Sequence, residues 1–139
     1  MFRVKEIEAA LRGCITDEMK NIMLIHESGS IIASAHPKEV DHAAVMLLSS
    51  AATEYKCAEQ YVVPEERSDF EGVIFFTEKA LVACRCFLSC TESSMMLLAV
   101  WCDAAAAPAP GLLLSRLELL KDELKCLEPL LMHSVNKNY

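Results

Sequence analysis

Three cysteines cluster in the pattern Cys84-x-Cys86-x3-Cys90, and thiolates are good ligands for zinc as well as redox-active groups. A zinc site would need a second Cys-x2-Cys pair or a His at ligand spacing, and the sequence has neither. Alternation along a strand places Cys84 and Cys86 on one face with Val82 and Leu88, where small apolar side chains pack without a ligand. We therefore predict no metal site, and the role of the cluster stays open.

A second group with the residue types of catalysis is His26, Glu27, Ser28 and Ser30, which surround Gly29. A His beside a carboxylate and a hydroxyl could act as a general base, but the Gly-x-Ser-x-Gly elbow of a nucleophilic Ser is absent. Polar residues also gather where a hairpin turns through water, and Gly reaches the positive φ of tight turns. The pattern favours a hairpin turn, so we predict no catalytic residue.

Nucleotide and nucleic-acid binding are not indicated. The four glycines form neither a Gly-x4-Gly-Lys-Ser/Thr loop nor a Gly-x-Gly-x2-Gly motif, so we predict no cofactor-binding residue and no cofactor. Thirteen Lys and Arg against twenty Asp and Glu give a formal charge of −7. No basic cluster could follow a phosphate backbone, which argues against a nucleic-acid partner.

Composition also limits which cellular compartment we expect for the chain. Its 139 residues are 53% hydrophobic and 24% charged, yet the longest apolar runs are too short to cross a bilayer as a helix. The start of the sequence has neither the apolar core of a signal peptide nor a Gly at position 2 for myristoylation. We expect one cytoplasmic domain spanning 1–139, without direct membrane insertion and with surplus apolar surface for a partner.

Apolar periodicity predicts the elements that position these residues. Steps of three and four residues predict helices, and short β-rich runs between polar breaks predict strands. The predicted elements are a helix at 3–13, strands at 21–26 and 30–35, a helix at 37–59, strands at 72–77, 80–88 and 95–102, and a leucine-striped helix over 113–131. This order predicts an α+β fold with a five-stranded antiparallel sheet, the first and third helices on one face and the second helix on the other.

The order of elements and several short patterns resemble the roadblock family, which includes dynein light chain roadblock, bacterial MglB and the Ragulator subunits. The patterns are the strand Met23–Ile25, the turn Glu27–Ser30, the return strand Ile31–Ser34, and the Ala-rich second helix. Among the branches, the chain most resembles the smaller Ragulator subunit of the endosomal MAP-kinase scaffold pair, through the start Met1–Lys5 and the Leu-rich last helix. It departs from the family at an Ala104–Pro110 insertion, whose role stays open, and at its crowded cysteines.

The resemblance implies a non-enzymatic scaffold or adaptor that dimerises with another roadblock-fold subunit and binds or regulates small GTPases. In the Ragulator branch these are Rag-type GTPases, and the complex acts in TOR and MAP-kinase signalling. The resemblance also implies a peripheral position on the late endosome or lysosome, tethered through a lipidated partner. Whether the chain forms a homodimer or a heterodimer, and with which subunit, stays open.

Two surfaces would be costly to leave in water: the apolar third strand, which we predict to be an edge strand that pairs with a partner, and the second helix. The resemblance assigns dimerisation to the same elements. The predicted partner interface comprises Val40, Ala44, Leu47, Leu48 and Ala51 on the helix, and Val73, Ile74, Phe75, Phe76 and Thr77 on the strand.

Other functions remain alternatives. The chain is also compatible with a dynein light chain or an MglB-like small-GTPase regulator, since these share the predicted element order. A longin-like trafficking adaptor has a similar sheet but begins with a strand where we predict the helix at 3–13. A thiol-dependent enzyme acting through Cys84, Cys86 and Cys90 is the least favoured interpretation.

Overall fold

The computed structural model describes residues 2–59, 73–91, 94–105, 109–127 and Pro129. Its helices are α1 (Phe2–Gly13), α2 (His42–Glu59) and α3 (Pro110–Glu123), with 3₁₀ turns at Pro37–Glu39 and Leu124–Leu127. Its strands are β1 (Asn21–His26), β2 (Ile31–Ser34), β3 (Val73–Phe76), β4 (Ala80–Thr91) and β5 (Ser94–Asp103). Residues 63–69, which their polar composition and Pro64 predict to be a connecting loop, lie outside the described residues, as does part of the 104–110 insertion.

The strands form one antiparallel sheet in the order β2-β1-β5-β4-β3. The predicted α+β fold is therefore confirmed, and β3 lies at an edge of the sheet that the described residues form, as predicted. A helix, rather than the strand of a longin-type domain, precedes β1. The β4–β5 hairpin is longer than predicted, since its ladder continues to the pair Thr91 and Ser94.

The β1–β2 turn is built around Gly29, which has a φ of +97°. The backbone N–H of His26 donates to the C=O of Ser30 at 2.8 Å, and that of Gly29 donates to the C=O of His26 at 2.9 Å. Only Gly adopts this φ without steric cost. The predicted hairpin is thus confirmed at its turn as well as in its strands.

Helix α2 begins at His42 rather than at 37, and this part of the prediction is wrong. Pro37 starts only a 3₁₀ turn, because Val40 is extended at φ −77° and ψ 127°. Asp41 caps the α-helix instead: its Oδ1 accepts from the N–H groups of Ala43 at 3.1 Å and Ala44 at 3.2 Å. A carboxylate in this position satisfies N–H groups that have no partner within the helix.

Helix α3 also differs from its predicted bounds. It starts at Pro110. A residue without an N–H is tolerated there because the first N–H groups of a helix have no acceptor within the helix. The α-helix ends at Glu123 and tightens into the 3₁₀ turn Leu124–Leu127. The leucine pattern therefore extends beyond the α-helix, since Leu124 and Leu127 lie in the 3₁₀ turn and Leu131 lies outside the described residues.

The sheet separates two layers of core. The α1/α3 core includes Ile7, Leu11, Ile22, Leu24, Leu98, Val100, Leu113, Leu117 and Leu120. The α2 core consists of Met23, Ile25, Val45, Leu48, Ala52, Val82, Cys84, Leu97, Ala99 and Trp101. Alternate residues of each strand enter opposite layers, as the pleat requires. The predicted distribution of helices over the two faces is confirmed.

Candidate interaction surface

Strand β3 has only β4 as a neighbour within the described part of the sheet. Thr77 donates its N–H to the C=O of Ala80 at 2.9 Å, and hydrogen-bonded pairs alternate along an antiparallel ladder. The backbone N–H and C=O groups of Ile74 and Phe76 therefore point away from β4. This row of donors and acceptors is what an incoming strand needs.

The side chains of β3 divide between the two faces of the sheet. Phe75 packs against the α2 core, and Ile74 packs against the α1/α3 core. Val73 is half-buried, and Phe76 is 70% exposed. The last predicted strand residue, Thr77, closes the β3–β4 turn, since its Oγ1 accepts from the N–H of Ala80 at 2.9 Å. The edge thus combines open backbone groups with a large exposed aromatic ring.

Helix α2 presents apolar side chains on both of its sides. Val45, Leu48 and Ala52 are buried against the sheet, while Met46 and Leu47 are each 54% exposed. With the exposed Ala43 and Ser50, Met46 and Leu47 form a stripe at helical spacing that we term the α2 outer face. Two large neighbouring apolar side chains in water suggest a surface that a partner covers.

The structure distributes the predicted helix residues unequally. Leu47 is exposed on the α2 outer face, whereas Leu48 is fully buried in the α2 core. Val40 and Ala44 are half-buried and pack against that core, and Ala51 is half-buried. Sequence reasoning missed Met46. Its helical spacing from Ala43 and Ser50 is shared by Leu47 of the predicted set, and this spacing alone does not show which side of α2 is exposed.

The β1–β2 turn lies directly beside the α2 outer face. The Oγ of Ser49 donates to the C=O of Glu27, and Gly29 lies against Met46. The Nδ1 atom of His26 accepts the N–H of Ser28 at 3.1 Å and lies 2.8 Å from its Oγ. The polar residues that suggested catalysis therefore maintain a turn, and turn and helix form one continuous surface.

Cys84 and Cys86 of β4 lie beneath α2. Cys84 is buried and Cys86 packs against the same core, as strand alternation predicted. Burial raises the pKa of Cys84 from 9.0 to about 12, with a further contribution from Cys86. A thiol with this pKa stays protonated and is a poor nucleophile or ligand at neutral pH. Among the described residues, no three His, Cys, Asp or Glu side chains are grouped to hold a metal.

An antiparallel five-stranded sheet between one helix and two helices is the fold of solved roadblock/LC7 domains. MglB of Myxococcus xanthus matches with a TM-score of 0.64, covering 89% of this chain and 88% of that chain at 18% identity. MglB of Thermus thermophilus matches at 0.63, covering 88% and 87% of the two chains at 12% identity. A Roadblock/LC7 domain of Streptomyces avermitilis matches at 0.62, covering 90% and 97% at 16% identity.

At these identities the likeness establishes the fold. No known protein family profile matches the sequence, and no curated protein matches it significantly. None of the helices within the described ranges is both long and apolar enough to cross a membrane.

Proposed function

We propose that the protein is a non-catalytic adaptor that dimerises with a roadblock-fold chain through α2 and the β3 edge, and that the dimer binds a small GTPase. The observation that carries the proposal is the exposure of Met46 and Leu47, each 54% in water, on the helix beside an open sheet edge. A partner helix would bury the exposed side chains of α2, and a partner strand would pair with the free edge of β3, so both contacts favour dimerisation.

The fold likeness supports the dimerisation part of this proposal. One of the matching solved structures is described as MglB with a tetrameric arrangement, and it matches at a TM-score of 0.62 and 15% identity. Assembly of roadblock-fold chains with one another is thus known for a protein of this architecture. The small-GTPase partner rests on the resemblance of the element order and the first hairpin to the roadblock family.

Within this class we propose a Ragulator-type role. The partner would be a second roadblock-fold subunit, the client a Rag-type GTPase, and the place of action the late endosome or lysosome, in TOR and MAP-kinase signalling. Support comes from the start of the sequence, the Glu27–Ser30 turn and the leucine-rich last helix. A lipidated partner would supply the membrane tether.

A second candidate is an MglB-like regulator of a small GTPase, which the likeness to the solved MglB structures favours. Affinity purification from the source cell followed by mass spectrometry separates the two candidates. Recovery of a lysosomal GTPase with a second roadblock-fold subunit would support the Ragulator-type role. Recovery of a single small GTPase without a second roadblock-fold subunit would support the MglB-like role, and recovery of dynein intermediate chain would contradict both.

Light scattering on the purified chain tests dimerisation itself. The expected species has twice the chain mass of 15.4 kDa. Leu47→Asp places a charge on the α2 outer face, and Phe76→Pro removes an N–H that points away from β4, so each should shift the mass toward the monomer. Leu119→Asp is the matched control, since Leu119 is exposed on α3 across the sheet. A clean wild-type monomer, or loss of the dimer in the control alone, would contradict the proposal.

A further inference from the structure

A groove of about 500 Å³ opens on the other face of the sheet, between α3 and the segment that follows α1. We term it the α1–α3 groove. Met19 and Leu120 form its apolar floor and belong to or pack against the α1/α3 core. Leu119 stands at its edge with 64% of its surface exposed. The groove therefore has an apolar floor with an exposed leucine at its edge.

A second exposed leucine lies on the same side of α3, beyond the groove. Leu112 is 50% exposed and precedes Leu119 by seven residues, which places both on one side of the helix. Seven residues of α-helix span about 10 Å. Two leucines in line at this separation match the spacing with which a second helix inserts its own apolar side chains.

The charged residues around the groove are mostly acidic. Asp17, Glu18 and Glu123 line it together with Arg116, the one cation among its described lining residues, whose Nη1 pairs with the Glu18 carboxylate. The Sγ of Cys14 lies 3.9 Å from Oε2 of Glu123. Burial and then Glu123 raise the pKa of Cys14, so this thiol stays neutral and adds no charge to the groove. The rim is acidic around an apolar floor.

The acidic rim indicates which kind of partner the groove can bind. A second copy of the same face would bring carboxylates against carboxylates, which is repulsive at short range. In a helix that carries Lys or Arg beside an apolar stripe, the stripe would contact the leucines of the groove and the cations would pair with its carboxylates. We propose that the α1–α3 groove binds a basic amphipathic helix of another protein, with Leu119 as the apolar anchor and Asp17 and Glu123 as the charged contacts.

This site is independent of the proposed dimer interface. The groove residues pack on the α1/α3 core, whereas Met46 and Leu47 lie over the α2 core on the opposite side of the sheet. Both surfaces can therefore be occupied at once. A failed dimerisation test would not contradict the proposal for the groove. A failed peptide-binding test would likewise not contradict the proposed dimer.

The test uses a designed helical peptide of about 18 residues with leucines on one face and lysines beside them. Titrated into the ¹⁵N-labelled chain, it should produce saturable chemical-shift changes at the amides of Cys14, Leu119 and Glu123. A peptide with glutamates in place of the lysines should produce none. Alkylation of Cys14, followed by mass spectrometry, should slow when the lysine peptide is bound.

Variants locate the binding site. Leu119→Asp should weaken binding by about tenfold, and Glu123→Lys should weaken binding of the lysine peptide while admitting the glutamate peptide. Glu39→Lys, in the exposed 3₁₀ turn before α2, is the matched control for the charge reversal and should bind as the wild type does. Shifts confined to α2 or β3, equal binding of both peptides, or no shift up to about 1 mM peptide would overturn the proposal.

Discussion

The Sδ atom of Met46 lies 2.8 Å from the position that a Cβ on Gly29 would occupy. The β1–β2 turn and the exposed side of α2 are therefore in direct contact, although seventeen sequence positions separate the two residues. The turn thereby determines where Met46 can lie. Substitutions at this contact test how strongly the turn supports the proposed dimer surface.

Gly29→Ala should lower the free energy of unfolding by about 1–2 kcal/mol, because the residue has a φ of +97° that L-residues adopt at a cost. The displaced Met46 side chain is flexible and adds little. Urea unfolding followed by the fluorescence of the buried Trp101 measures the change. Gly111→Ala is the control, since its added Cβ would meet nothing within 4 Å. An equal loss in both variants would contradict this account.

Ser49→Ala should destabilise the chain by about 1 kcal/mol, since it removes the donor to the C=O of Glu27. The neighbouring Ser50 is exposed, and Ser50→Ala should be close to neutral. Comparing the two in the same urea titration separates the hydrogen bond from any general effect of losing a hydroxyl in α2. The explanation fails if the two alanine variants unfold at the same urea concentration.

Asn21→Ala should cost about 2–3 kcal/mol, because several hydrogen bonds of a buried amide are lost at once. Its Oδ1 accepts from the Ser34 hydroxyl at 3.1 Å and the His36 N–H at 3.0 Å, and its Nδ2 donates to the His36 C=O at 3.1 Å. Ser34→Ala should cost about 1 kcal/mol. A double-mutant cycle by chemical denaturation should show coupling, and simple additivity would argue against a shared network.

Stability should fall as the pH rises above about 9, partly through Cys84. Its pKa is about 12 in the folded chain and near the ordinary value of 9.0 once unfolded. Between these values the unfolded state releases a proton that the folded state retains, so unfolding becomes easier by up to about 1.4 kcal/mol per pH unit. Below pH 9 both states hold the proton and the effect vanishes.

Replacing Cys84 by Val isolates this contribution, since other groups also titrate at high pH. The free energy of unfolding of the variant should fall less steeply than that of the wild type between pH 9 and 11. Cys126→Ser is the control, because Cys126 is exposed and its slope should match the wild type. Equal slopes for Cys84→Val and the wild type would contradict the burial argument.

The sequence was most informative where structure is local. Alternating apolar runs predicted the strands, and Gly29 with its polar neighbours predicted the first turn. Both follow from the period of two in a strand and the φ preference of Gly. The start of α2 was misjudged because Pro37 is also a helix-start signal; the better signal was Asp41, whose side chain caps the first turn.

The phase of α2 could not be predicted in the same way. From Ala43 to Ala52 the helix is apolar on most sides, so periodicity does not distinguish the buried Leu48 from the exposed Met46. Only packing on the sheet decides between them. The α1–α3 groove could not be predicted from the sequence for a different reason. It is formed by the segment after α1 together with a helix about a hundred positions later.

The sheet that divides the core also determines how many partners the assembly could hold. A twofold dimer formed through α2 would turn both of its α1–α3 grooves outward, one at each end. A protein with two basic helices on a flexible linker would then bind the second groove as an intramolecular step, at a high effective concentration. Its residence on the dimer would depend on the length of that linker as much as on the affinity of either groove.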